Sequence, residues 1–394
     1  MSLAGCLHMA WRYVVHHQVR TLLLALALGL TLALPLAVRG LLRLAQQEWR
    51  ARAESTPLVL GAKGSALELT LQSLYFRRRG AETIPADSAE TVRATGLAEA
   101  IPLYVRFHAQ ETPIVGTTFE YFDFRRCRVA SGRLMGRLGE CVLGSGVART
   151  RGLKVGDTLM SSPEQVFDIA GVYPLKMHIV GVLEETHTAD DHAIFVDVKT
   201  AWLIEGIAHG HEDVLQSKDA GQVMEQQADN VVASKGLRLY AEVTAENARS
   251  FHFHGDPRTY PVSSVLVIPK DARAQALLLG RYQSTPDGLQ LVLPAAEMDA
   301  LFATLLKAER FALLLLLVLG LAVFLIITLV FALSFRLRHR EFATLEDIGI
   351  RHGTVAMVKV CEIVLVGLAS LVVVAAMWWL VQRYGVVLIR AGVR

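Results

Sequence analysis

Residues 184–192 read EETHTADDH, which crowds Glu184, Glu185, His187, Asp190, Asp191 and His192 into one short stretch. A second group follows at His209, His211, Glu212 and Asp213, and a third at His252 and His254. Imidazole and carboxylate together form the ligand set of zinc and related divalent ions. His187, Asp191, His192, His209 and His211 are therefore the candidate metal ligands. The spacing argues against them, because no pair stands four apart on a helical stretch. His-x-His on a strand or loop is also ordinary for a wet surface. The pattern by itself assigns no metal to the chain.

Other chemistry is harder to place. Ser145 lies in Gly144-Ser145-Gly146, which lacks the nucleophile-elbow pattern. Residues 152–158, GLKVGDT, have neither the spacing nor the Lys-Ser/Thr end of a phosphate loop. No catalytic set and no bound cofactor are expected, and ATP cannot be hydrolysed through a phosphate loop. Cys127 and Cys141 fall in the middle region and form a candidate disulfide if that region is extracytoplasmic. Two buried thiols, filling space as small apolar groups, are the alternative.

These residues need elements to position them, and composition says where those lie. Only 20% of the 394 residues are charged, against about 25% in soluble domains. The apolar surplus sits at the two ends, while residues 50–300 read like an ordinary soluble sequence. Residues 21–38, TLLLALALGLTLALPLAV, carry no charge and as a helix span roughly 27 Å, close to a bilayer core. The run is longer than a signal-peptide core, and residues 34–37, LPLA, make a poor cleavage site. Residues 311–335 form a second uncharged run. A third, 363–381, ends near Trp378, Trp379 and Tyr384, which suit a membrane interface. Lys359 and Glu362 precede it on one helical face, as expected for a helix rising from the headgroup region. Arg336, Arg338, Arg340 and Arg351 favour a cytoplasmic location for the segment between the second and third runs, although Arg39, Arg43, Arg50 and Arg52 after the first weaken the bias. A net charge of +3 gives no reason to expect nucleic acid.

The expected organisation is a cytoplasmic segment 1–20, a membrane helix 21–45, an extracytoplasmic domain 46–294, a stalk with membrane helix 295–335, a cytoplasmic helix 336–353, a membrane helix 354–382 and a tail 383–394. The fold class is thus α-helical membrane segments plus a mixed α+β extracytoplasmic domain. Within that domain, periodicity predicts helices over 88–94 (capped by Asp87 or Ser88), 200–205 and 271–282, and strands over 101–107, 176–183, 192–198 and 264–268. Pro294 opens a helical pattern that enters the second apolar run without a break, about 60 Å in all.

Between the second and third runs, Phe342, Leu345 and Ile348 recur at three-residue spacing with Glu341, Glu346 and Asp347 elsewhere on the wheel. That is a short amphipathic helix for a membrane surface. Arg340, Glu341, Phe342, Ala343, Leu345, Ile348 and Gly349, followed by Glu362 and Gly367, resemble the C-terminal permease module of the FtsX/MacB-type ABC transporters. Residues 139–144 (GECVLG), 147–148, 152–158 and 179–182 (IVGV) are similar to the external domain of the same family.

The resemblance implies four membrane helices, of which these residues contain three. It implies a bacterial inner-membrane subunit that pairs with a second permease chain and with a separate ABC ATPase, alongside a periplasmic binding or adaptor protein. It places the ATPase contact on Arg340, Glu341, Phe342, Leu345, Ile348 and Gly349, where Glu346 and Asp347 make the surface more acidic than the family pattern. Small residues on the runs, among them Gly29, Gly320, Gly367 and Ser370, would permit close helix packing. The expected function is the coupling of ATP hydrolysis to movement of the external domain, for export or extraction of a cargo. A scaffold that transmits force to a partner such as a cell-wall hydrolase, or a metal-binding membrane sensor, are the alternatives.

Overall fold

The computed structural model describes residues 2–77, 82–162, 174–210, 223–227, 230–233, 241–284 and 288–392. The chain divides into two compact units, one of Met1–Arg50 with Ala300–Arg394 and one of Ala51–Asp299. The first helix, α1 (Leu3–His16), is absent from the sequence-based expectation, which held 1–20 as one segment; the Ser2 hydroxyl caps it by accepting from the Gly5 amide. After His17, α2 (Gln18–Glu54) runs unbroken, well beyond the expected 21–45. Pro35 inside it has no amide for the carbonyl four residues back, so one rung of its ladder is missing.

The second unit is a mixed sheet with short helices. Its strands run in the order Ala241–Glu242, Leu175–Leu183, Glu140–Leu143, Ile194–Asp197, Thr112–Thr117, Ala98–Ala109, Ser264–Pro269, Leu58–Ala62 and Leu289–Val292. Pairing is antiparallel around Ala98–Ala109, Ser264–Pro269 and Leu58–Ala62, and parallel where Thr112–Thr117 meets Ile194–Asp197. Leu175–Leu183 alternates as a half-buried strand must: Leu175, Met177, Ile179 and Leu183 face the core, while Lys176 and His178 do not. The helices are α3 (Ala66–Tyr75), α4 (Asp87–Ala94), α5 (Phe119–Arg125), α6 (Ser145–Arg151), α7 (Val198–Glu205) and α8 (Ala272–Ser284). The expected strands and helices therefore exist, with two adjustments. Neither Asp87 nor Ser88 caps α4, whose N-cap position is Ala86. The strand expected over 192–198 shortens to Ile194–Asp197, because a 3-10 turn, Ala189–His192, precedes it.

The first unit is completed by α9 (Pro294–Leu337), α10 (His339–Asp347) and α11 (His352–Gly392). Pro294 occupies a helix start, where its missing amide costs nothing. Among the described residues, α2, α9 and α11 (to Val387) are long and apolar enough to cross a membrane. The expected tail 383–394 is helical through Gly392 instead, and its Gly385 lies against Leu44 of α2. α1 packs along α11 through Cys6 and Ala10 against Val358 and Cys361. Gly29 sets how closely α2 approaches α11: a Cβ there would stand 2.6 Å from Val373 Cβ and 2.9 Å from Ser370 O. Gly29 and Ser370 thus serve packing within this chain. α9 is the barest of the long helices, with Phe311, Leu315 and Leu329 each about two-thirds exposed or more.

Candidate functional site

The focus of the first unit is Glu362, 1% exposed although it lies in a helix otherwise rich in Val and Leu. One carboxylate oxygen accepts from Arg20 Nη2, and the other from Arg338 Nη1 at 3.0 Å. Arg20, near the start of α2, also donates to the Tyr13 hydroxyl of α1 at 3.1 Å and to the Ser334 hydroxyl of α9. Arg338 stands in the break between α9 and α10. Its guanidinium carbon lies 3.4 Å from the centroid of the Tyr13 ring and 4.8 Å from that of Phe342, and its Nε reaches Glu341 at 3.0 Å. Lys359 Nζ sits 4.5 Å over Phe342. One carboxylate therefore joins α1, α2, α9, α10 and α11. Removing one partner from such a buried pair leaves an uncompensated charge, typically at a cost of about 3–5 kcal/mol.

α10 hangs on this node by an apolar face. Phe342 is buried, and with Leu345 it lines a small apolar cavity closed by Met9, Val355 and Val358. The opposite face presents Arg340, Glu341, Thr344 and Asp347. The helix ends in a Schellman motif: Gly349, at φ +93°, donates to Glu346 O, and Ile350 donates to Leu345 O. Only glycine takes that backbone region without strain, which explains the residue type at 349.

The second unit has a buried charge centre of its own. Arg52, in the last turn of α2, grips Asp190 with two parallel bonds of 2.8 and 2.9 Å, and Tyr121 donates to the same carboxylate at 2.6 Å. Arg52 also donates to Leu74 O at the end of α3, and Thr188 reaches Asp190 at 2.9 Å. Burial alone would raise the Asp190 carboxyl, but Arg52, helped by Arg125 and the Tyr121 hydroxyl, holds it down to about 2. Burial pushes the Tyr121 hydroxyl well above its ordinary range.

A family model for the MacB-like periplasmic core domain matches residues 21–236, more than half of the chain. The chain belongs to that family. The extracellular domain of the noncanonic ABC-type transporter YknZ from Gram-positive bacteria aligns with a TM-score of 0.32 at 12% identity, covering 60% of this chain and 98% of that one. The periplasmic region of MacB from Actinobacillus actinomycetemcomitans aligns with a TM-score of 0.33 at 10% identity, covering 64% and 94%. No curated protein matches the chain.

Within this MacB-type chain the expected site residues separate into groups. Of the six proposed for ATPase contact, Arg340, Glu341, Ile348 and Gly349 are exposed, whereas Phe342 and Leu345 turn inward. Ile348 leaves the apolar stripe because α10 has ended by then, and it is 74% exposed. Glu362 is not in headgroup water with Lys359; it is the buried centre of the node. Arg52, counted among the charges after the first apolar run, is committed to Asp190. Cys127 and Cys141, the candidate disulfide, are both free and buried here, and burial pushes both thiols up to about 12. Cys141 fills a wholly buried strand position opposite Val196.

The metal candidates also divide. His211 lies outside the described residues. Glu185, His187 and Asp191 approach one another, but their groups are already engaged. Asp191 accepts from the amides of Thr186 and His187 at 2.8 and 2.7 Å, and Glu185 pairs with Arg149 at 2.7 Å. His192 belongs to neither cluster and packs by Gly146. His209 instead meets His252 and His254 across two paired strands.

Proposed function

We propose that this chain is the membrane subunit of an FtsX/MacB-type ABC system in a bacterial inner membrane, with ATP bound and hydrolysed by a separate subunit. The MacB-like core would face the periplasm and α10 the cytoplasm. The exposed face of α10, Arg340, Glu341, Thr344 and Asp347, would receive the ATPase. Phe342 and Leu345 would hold α10 to the membrane helices, so that a push on α10 is felt at Glu362.

The observation that carries this reading is the Glu362 node. A buried carboxylate shared by Arg20 and Arg338 links the proposed docking helix to the ends of α2, α9 and α11. α2 and α9 then continue in sequence into the residues of the second unit, giving displacement at the node two covalent routes onward. A second permease chain and surrounding lipid would cover the bare face of α9. Cargo export or extraction is the role proposed for the movement.

The test is co-purification with a partner ATPase, followed by its ATPase rate. Arg340→Glu with Glu341→Lys should abolish association. Glu362→Gln should leave association intact and uncouple it, seen as loss of the ATP-dependent change in protease protection of residues 51–299. Unchanged association in the charge-reversal variant would sink the docking assignment. A cargo that stimulates the ATPase would separate transport from force transmission to a periplasmic partner.

A further inference from the structure

The strand Ala208–Gly210 pairs antiparallel with Phe251–Phe253, with His209 directly opposite His252. The His254 amide continues the ladder by donating to Ile207 O at 3.1 Å. Strand alternation then divides the residues by face. Ala208, Phe251 and Phe253 pack into the core of the second unit, and His209, His252 and His254 share the outer face. The three imidazole rings lie 4.6 to 4.9 Å apart, centroid to centroid. One ring nitrogen from each falls within 4.8 Å of the other two.

We propose that His209, His252 and His254 form a binding site for one first-row divalent transition-metal ion, of which zinc is the reference case. Among the described residues the donor set is three imidazoles, which suits copper, zinc or nickel and is a poor site for magnesium or calcium. Three protein ligands on an open face leave a fourth position for water or an exogenous ligand. Two nitrogens on one tetrahedral zinc stand roughly 3.4 Å apart, given zinc–nitrogen bonds of about 2.0–2.1 Å.

His252 is already oriented for the role. Its Nδ1 lies 3.2 Å from Ser250 O. A carbonyl can only accept, so Nδ1 carries the proton in that contact and Nε2 is the nitrogen able to act as a ligand. A backbone carbonyl on the far nitrogen is the support that metal-bound histidines ordinarily have. The bound ion would fasten the two strands that flank residues 211–250.

The test is calorimetric titration of the untagged, metal-stripped full-length chain in detergent with zinc, repeated with cobalt to read the tetrahedral absorption band. One ion per chain at micromolar affinity or tighter is expected. His209→Gln, His252→Gln and His254→Gln should each weaken binding about tenfold or more, while His187→Gln with His192→Gln should not change it. The three rings are exposed or half-buried, so the variants should keep the wild-type melting curve in chelator. If the wild-type chain fails to bind, or the triple variant binds as the wild type does, the site is refuted.

Discussion

Asp190 and Glu362 are both buried carboxylates held by arginine and accompanied by a tyrosine, yet they do different work. Asp190 faces one bidentate arginine inside a folded sheet domain, and the chain segments it joins are already fixed by strand pairing and core packing. Glu362 divides its two oxygens between arginines from two helix ends, one of which, Arg338, also reaches Glu341. Its arginines are also partly exposed, Arg20 at 27% and Arg338 at 15%, against 7% for Arg52. The first arrangement is a clamp on the end of α2. The second is a joint among helices. A clamp should fail by unfolding, and a joint by losing communication while the fold survives.

The largest effect should follow Asp190→Ala, which strands Arg52 in the core; about 3–5 kcal/mol of stability is expected to go, read as a lower unfolding midpoint. Glu362→Gln, which leaves Arg20 and Arg338 to share one neutral acceptor, should cost less than Asp190→Ala because both arginines are partly exposed, while the ATP-linked movement proposed above is lost. Equal loss of stability in the two variants would erase the distinction.

Acid should also separate them. The Asp190 carboxyl is depressed to about 2 in the fold, against about 3.9 in an unfolded chain. Its contribution, about 2–3 kcal/mol, is therefore complete above roughly pH 5 and drains away as pH falls through 4 towards 2. Asp190→Asn should remove that part of the acid dependence, measured by denaturant unfolding at pH 3 and pH 7. Gly29→Val comes next: the new side chain meets Val373 and Ser370 O, and overpacking of about 1–3 kcal/mol should loosen α2 from α11 without touching the second unit. The smallest effect is expected for reductant. Free, buried Cys127 and Cys141 should give the same melting curve with and without dithiothreitol.

Local signals carried much of this architecture. Long uncharged runs marked α2, α9 and α11, and three-residue spacing marked α10. Alternation found Leu175–Leu183, and the helical spacing found α7 and α8. Partners remote in sequence left no such trace. Arg20 and Glu362 are 342 residues apart, and an arginine beside an apolar run looks like a topology signal whether or not it is committed to a carboxylate. Arg52 and Asp190, 138 residues apart, are hidden in the sequence for the same reason. His209 and His252 become neighbours only when their strands pair, so the histidines nearest in sequence, His187 and His192, drew attention that their own hydrogen bonds do not justify. α1 leaves little local signal, because its apolar face is short and takes its partner, α11, from the other end of the chain.

Pro35 gives the two helices that lead out of the first unit unequal bending stiffness. α9 has every internal amide to keep it straight, whereas α2 lacks a rung near its middle and flexes there at lower energy. Under a common axial load, a column with a flexure bows first and its companion bears the force. Pro35 therefore gives α2 a point of low bending stiffness between its Arg20 and Arg52 ends.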